Sequence, residues 1–273
     1  MIELKSISKT FNPGTVNENK AINNLSLKLN DGEFITVIGG NGAGKSTLLN
    51  IIAGSILADE GLILINGKDI SNMREYKRAP YFGRVFQDPM KGTATDMTIL
   101  ENLALAKGRG KMRSLFKWSI SKGDKEEFIE LLKTLDLGLE NRIHQKVGLL
   151  SGGQRQALTL LMATMEKAGQ KEGENPILLL DEHTAALDPK TASKVLDITN
   201  KIIREKHLTT IMITHNMSDA IKYGDRLIMM SKGEIVVDIS GEEKKNLTIE
   251  ELLKLFSIKS DNDVISDAAV LGD

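Results

Sequence analysis

The stretch Gly39-Gly40-Asn41-Gly42-Ala43-Gly44-Lys45-Ser46 lies between an apolar run at 34–38 and a helical stretch at 47–53. It matches G-x-x-x-x-G-K-[ST], a pattern that carries meaning only between a buried strand and the start of a helix, so it constrains the fold on both sides of itself. Glycines let successive backbone N–H groups turn inward around phosphate oxygens, and the helix that follows adds the positive end of its dipole. Gly39, Asn41, Gly42, Ala43 and Gly44 are read as the phosphate cradle, with Thr47 opening the helix behind it. Lys45 is placed to reach the β- and γ-phosphates of a nucleotide, and the Ser46 hydroxyl to ligate Mg²⁺.

Around this loop, short continuous apolar runs at 34–38, 62–65, 84–86, 177–180, 210–214, 226–230 and 234–239 are separated by helical stretches. Strands that are apolar throughout, rather than alternating, belong to a sheet covered on both faces. The expectation is an α/β fold: a P-loop NTPase core with a mostly parallel sheet, antiparallel β elements near the N-terminus and an inserted α-helical lobe. Residues 1–87 and 170–240 form the core, 88–169 the lobe, and 241–273 a C-terminal tail with a short helix at 248–256, in which Glu251 stands at the third position. Within the lobe, Asp124 and Glu127 read as a capping pair ahead of Phe128, Leu131, Leu132 and Leu135. A basic segment at 107–122 reads either as a solvated loop or as a contact with a partner or a membrane-proximal surface.

The run 177–180 ends in Asp181 and Glu182. Four aliphatics leading directly into two carboxylates are costly to bury unless the charges are used. Strand C-termini are also where ligands bind in open α/β sheets. Asp181 is assigned to Mg²⁺ and Glu182 to the orientation or deprotonation of an attacking water.

Just upstream, Leu150-Ser151-Gly152-Gly153-Gln154-Arg155-Gln156 reads as a second phosphate-binding helix start. Ser151 is its N-cap, Gly152 and Gly153 allow close approach, and a helix follows over 154–166. This stretch closely resembles the signature of ATP-binding-cassette ATPases, and further positions resembling that family follow in order from residue 1 to about 239. The resemblance implies that Gln87 senses Mg²⁺ and water at the junction of core and lobe. It implies that Asp188, in Ala185-Ala186-Leu187-Asp188, touches the opposite subunit, that His215 contacts the γ-phosphate, and that Phe11 stacks on adenine. Two positions depart from the family: Gly40 stands where proline or serine is common, and His183 where proline usually follows the glutamate. The His183 imidazole is expected to bear on the ionisation of Glu182.

The family's cycle implies an ATPase that pairs head to tail with a second copy of itself around two Mg-ATP, so that Ser151, Gly152, Gly153 and Gln154 of one copy cover the nucleotide of the other. The apolar content supports no window approaching the roughly eighteen uninterrupted residues of a membrane span. Membrane-spanning permease subunits must therefore be separate, with this chain cytoplasmic and peripheral at the inner face of the membrane through them. The segment 141–147 lacks the acidic-glycine pattern of many fused exporters, and the residues from Phe11 and from Leu149 resemble ATPases of bacterial uptake systems, some associated with amino acids such as tryptophan. Import with an extracytoplasmic substrate-binding protein is the expectation, and a soluble assembly-factor ATPase of the iron–sulfur type is the alternative.

Composition closes off other classes. The chain contains no cysteine, which excludes disulfides, thiolate zinc sites and cysteine nucleophiles. A net charge of −1 and 4% aromatic residues leave neither a basic field nor a stacking platform, so no nucleic-acid partner is expected.

Overall fold

The computed structural model describes residues 1–109, 121–165 and 176–259. In chain order the elements are β1 (Ile2–Phe11), β2 (Asn19–Leu29), β3 (Phe34–Gly39), α1 (Lys45–Ala53), β4 (Glu60–Ile65), β5 (Lys68–Asp69), α2 (Glu75–Arg78), β6 (Phe82–Val85), α3 (Ile99–Lys107), α4 (Lys122–Lys133), α5 (Gly152–Thr164), β7 (Ile177–Asp181), α6 (Pro189–Glu205), β8 (Thr210–Ile213), α7 (Met217–Lys222), β9 (Arg226–Ser231), β10 (Glu234–Ser240), α8 (Gly241–Lys245) and α9 (Ile249–Lys259). They group into two compact units, Met1–Arg78 with His207–Asp273, and Ala79–Lys206. The expected boundary at 169/170 and most of the basic segment, 110–120, lie outside the described residues, as do 260–273 of the tail.

In the first unit an antiparallel sheet runs β2-β1-β4-β5. Beside it a ladder runs β10-β9-β3-β8, with β3 parallel to both β8 and β9 and β10 antiparallel on the edge. Phe34, Ile35, Thr36, Val37 and Ile38 of β3 are all buried, as a strand covered on both faces must be. Arg226 on β9 grips the Asp238 carboxylate on β10 with two nitrogens, at 2.6 and 2.5 Å, and reaches the Lys28 carbonyl of β2 at 2.9 Å. The chain after 240 adds to this core: Leu252 and Phe256 of α9 are buried against Ile38, Met217, Leu227 and Met229. Thr248 caps α9, accepting the Glu251 N–H at 3.2 Å while the Glu251 carboxylate accepts the Thr248 N–H at 2.9 Å.

The end of α1, the helix behind the phosphate loop, is held by a buried cation. The wholly buried Arg78 donates from Nη1 to the carbonyls of Ile51 (2.7 Å) and Ile52 (2.9 Å), from Nε to Met73 (2.7 Å) and from Nη2 to Ser71 (2.7 Å). A helix C-terminus leaves carbonyls without intrahelical partners and carries negative dipole charge, and the guanidinium answers both.

In the second unit β6 and β7 pair in parallel, Val85 opposite Leu180. Gly83 lies so near α5 that a Cβ there would stand 2.2 Å from the Ala163 carbonyl oxygen. Helix α5 starts at Gly152, two residues earlier than the spacing suggests, because a serine N-cap puts the first helical residue immediately after itself; it ends at Thr164, and Glu166 lies outside the described residues. The cap of α4 also differs from expectation. Ser121 is the N-cap and Asp124 its third-position partner, whereas Glu127 joins Asp124 in binding Lys107 from the end of α3. Spacing shows which residues repeat on a helix face, but the residue that leaves helical geometry first is decided by the chain before it. Among the described residues no helix is long and apolar enough to cross a membrane.

Candidate functional site

In the first unit, β3 delivers the chain into the loop 40–44 and α1 receives it. Gly44 has φ +99°, and a Cβ there would lie 2.4 Å from the Ala21 carbonyl oxygen on β2, so both conformation and space demand glycine. Gly42, at φ +79°, has nothing within 4 Å of where a Cβ would stand, leaving that part of the loop open. No side chain caps the N-terminus of α1. Lys45 is 7% exposed and folds along its own loop, its Nζ 2.8 Å from the Gly39 carbonyl and 3.0 Å from that of Gly40. Asn41, Gly42 and Ser46 are exposed, Thr47 is half-buried and Ala43 is buried. The arrangement is a run of positive-φ glycines leading into a helix start that no side chain caps, with an ammonium laid along it, which is the chemistry of a phosphate site.

His215 reaches the same edge through strand register. Val37 of β3 pairs with Ile213 of β8, so the phosphate loop and His215 leave adjacent parallel strands at their carboxyl ends. The Thr214 N–H bonds to the Val37 carbonyl at 3.1 Å, and Asn216 caps α7 through the Asp219 N–H at 3.0 Å; the exposed His215 stands between these two fixed points. Phe11 ends β1 opposite Asn19, on the hairpin whose second strand carries Ala21 past Gly44. Its ring is half-buried with Lys9 Nζ 5.8 Å from the centroid.

In the second unit the β6–β7 register brings Gln87, two residues beyond Val85, to the same edge as Asp181 and Glu182. Gln87 is exposed and sits between Phe86, whose carbonyl accepts Gln156 Nε2 at 3.3 Å, and Asp88, which caps the turn Pro89–Gly92. Asp181 faces Arg84 Nη2 at 3.7 Å, and the Arg84 guanidinium lies 4.5 Å from the centroid of the Phe86 ring. Arg84 was not among the sequence-assigned site residues, although an arginine inside an otherwise apolar strand was a signal for it, and Gln156 was read only as the last residue of the signature stretch.

Glu182 is half-buried with φ +45°, a left-handed conformation that costs a residue with a Cβ about 1–2 kcal/mol. The neighbouring His183 is 2% exposed, with Nε2 3.2 Å from Thr199 Oγ1. Burial pushes its imidazole down to about 4, so near neutral pH the ring is uncharged.

The signature residues and the aspartate after 187 meet across two helix starts. Ser151 and Gln154 form a reciprocal cap, the Gln154 N–H to Ser151 Oγ at 3.3 Å and the Ser151 N–H to Gln154 Oε1 at 3.2 Å. Asp188 caps α6 through the Thr191 N–H at 3.1 Å, and hydrogen bonding from Thr191 holds its carboxyl below the usual carboxylate range. A Cβ on Gly153 would lie 2.2 Å from Thr191 Cγ2, and one on Gly152 3.1 Å from Leu187 Cδ2. The donor types also suit a hard divalent cation: Ser46, Asp181 and Gln87 all present oxygen.

Comparison with known proteins agrees with this chemistry. Residues 22–185 match the family described as ABC transporter. The chain is 48% identical over 256 residues to the tyrosine transport ATP-binding protein of Clostridioides difficile (strain R20291), covering 94% of this chain and 98% of that one. It is 31% identical over 260 residues to the phosphonates import ATP-binding protein of Lactococcus lactis subsp. lactis (strain IL1403), covering 93% and 99%. Among solved structures, the dimeric post-hydrolysis state of the ATP-binding cassette MJ0796 bound to ADP and Pi superimposes with a TM-score of 0.69 at 30% identity, covering 88% of this chain and 98% of that one.

Proposed function

The chain belongs to the ABC transporter family as an ATP-binding, ATP-hydrolysing subunit, and we propose that it powers the import of an amino acid through separate permease subunits. The observation that carries the cargo class is the 48% identity, across nearly the full length of both chains, to a tyrosine transport ATP-binding protein. That relative and the phosphonates importer are transport proteins, which favours transport over a soluble assembly-factor role. Tyrosine is the first cargo to test.

In this reading two copies pair head to tail. Gly39, Asn41, Gly42, Ala43, Gly44 and Thr47 of one copy hold the phosphates by backbone, Lys45 adds a cation, and Phe11 stacks on the adenine. Ser151, Gly152, Gly153 and Gln154 of the other copy present a second helix start to the same nucleotide, with Asp188 at the contact between copies. Glu182 takes the proton of the attacking water, while Gln87 and His215 orient water and γ-phosphate. Ser46, Asp181 and Gln87 would hold Mg²⁺, which would supply neutralisation of phosphate charge. Most of the rate comes from positioning and charge neutralisation, since no covalent intermediate is needed. The chain is cytoplasmic, held at the membrane by its permease, with an extracytoplasmic binding protein delivering the cargo.

Coexpression with candidate permease and binding-protein partners tests the reading. We expect detergent extracts to yield a complex with two copies of this chain, tyrosine uptake in vesicles that depends on ATP, and loss of hydrolysis on Glu182→Gln by about 10²–10⁴-fold. Recovery with soluble partners alone, while hydrolysis still needs Glu182, would remove transport and keep the ATPase.

A further inference from the structure

The backbone of Glu182 needs support that the residue itself does not provide. A φ of +45° crowds its Cβ, and a glutamate keeps that conformation only where its surroundings over-determine it. One constraint is local: the Glu182 carbonyl accepts the Ala185 N–H at 3.0 Å, closing a turn. The second is a tertiary bond one residue on, from the buried His183 to Thr199 in the middle of α6, at 3.2 Å. Thr199 gives its single hydroxyl proton to the Val195 carbonyl at 2.7 Å, so toward the imidazole its oxygen is an acceptor and the proton between them sits on His183 Nε2. The N-cap of the same helix is Asp188. Residues 182–188 thus form a short loop tied to α6 at both ends, by His183 near its start and by Asp188 at its finish.

A proline after the glutamate restricts the preceding residue through its own ring. That restriction favours extended backbone and not the left-handed φ of Glu182, so with histidine at 183 the conformation is left to the turn and to the buried hydrogen bond. We propose that His183 is a positioning residue for ATP hydrolysis: its Nε2–H···Oγ1 bond to Thr199 holds Glu182 in the left-handed conformation and so fixes where the carboxylate meets the attacking water. This rests on the reading of Glu182 as the group that activates water.

The test uses the full chain and separates kcat from KM for ATP in four variants. Thr199→Val removes the acceptor and keeps the volume; His183→Ala removes the ring; His183→Gln puts an amide N–H near the position of Nε2; Glu182→Gln tests the underlying reading. Thr199→Val and His183→Ala are expected to lower kcat about 10- to 100-fold with KM within about twofold, since a misplaced group of this kind loses rate and not binding. His183→Gln restores most of kcat, and the His183→Ala/Thr199→Val pair is no worse than either change alone. A lower melting temperature with unchanged kcat in folded Thr199→Val makes His183 a packing residue and overturns the inference while leaving Glu182 in place. Should His183→Ala fail to fold, Thr199→Val and His183→Gln decide alone. Hydrolysis that survives Glu182→Gln overturns both readings.

Discussion

Gly153 and Thr191 are in contact across the starts of two helices, with room between them for nothing larger than hydrogen: a Cβ on the glycine would stand 2.2 Å from the threonine Cγ2. The contact joins α5, capped by Ser151, to α6, capped by Asp188, so one packing distance sets the spacing between the two helix starts.

Gly153→Ala should therefore act as an overpacking change, costing about 1–3 kcal/mol in urea unfolding and lowering ATPase activity through displacement of the two helix starts. Thr191→Ser deletes the offending methyl, and the double variant should recover most of both. If the added serine change restores nothing, the steric account is wrong.

Lys45→Ala removes an ammonium that lies against the Gly39 and Gly40 carbonyls. A charge-assisted hydrogen bond to phosphate is worth about 1.5–3 kcal/mol, so ATP affinity measured by calorimetry should fall roughly 10- to 100-fold. Affinity within twofold of the parent chain would place the phosphates elsewhere.

Arg78→Ala removes the guanidinium that donates to the carbonyls of Ile51, Ile52, Met73 and Ser71, the first two of them in buried bonds. We expect a loss of about 3–5 kcal/mol in unfolding free energy, with Arg78→Lys recovering only part because a single ammonium cannot reproduce the planar fork. A loss below about 1 kcal/mol would mean that water reaches those carbonyls easily.

The Asp124 carboxyl is held down to about 2, against an ordinary 3.8, chiefly by the Lys107 ammonium and then by Ser121. A depressed carboxylate stabilises the fold fully above its ordinary value, and that stability is lost as pH falls from about 4 through about 2. Because the pair is partly solvated the effect is about 1 kcal/mol. Urea midpoints across that window should slope for the parent chain and flatten for Asp124→Asn; parallel slopes would contradict the assignment.

Much of the candidate site was legible because its signals are local. A glycine-rich run between strand and helix, two acids ending an apolar strand, and a serine followed by glycines each express backbone needs met within a few residues. Helix starts were less legible: α4 begins at a cap contributed by Ser121, which periodicity alone does not single out. Arg84, Gln156 and Thr199 were harder still, since each acts on a residue distant in the chain.

Residue order alone carries the α/β class, the glycine-rich loop at Gly39–Ser46 and the carboxylates at the end of β7, because those features follow from short-range sterics and the cost of burying charge. Folding in three dimensions was needed to put His215 on the loop's edge through β3 and β8, to set Arg84 against Asp181, to bring Gly153 to Thr191 and to place His183 Nε2 beside Thr199 Oγ1. Those pairings depend on which faces are buried together. Spacing along the chain carries no record of that, because packing brings distant residues into contact through shape and strand register.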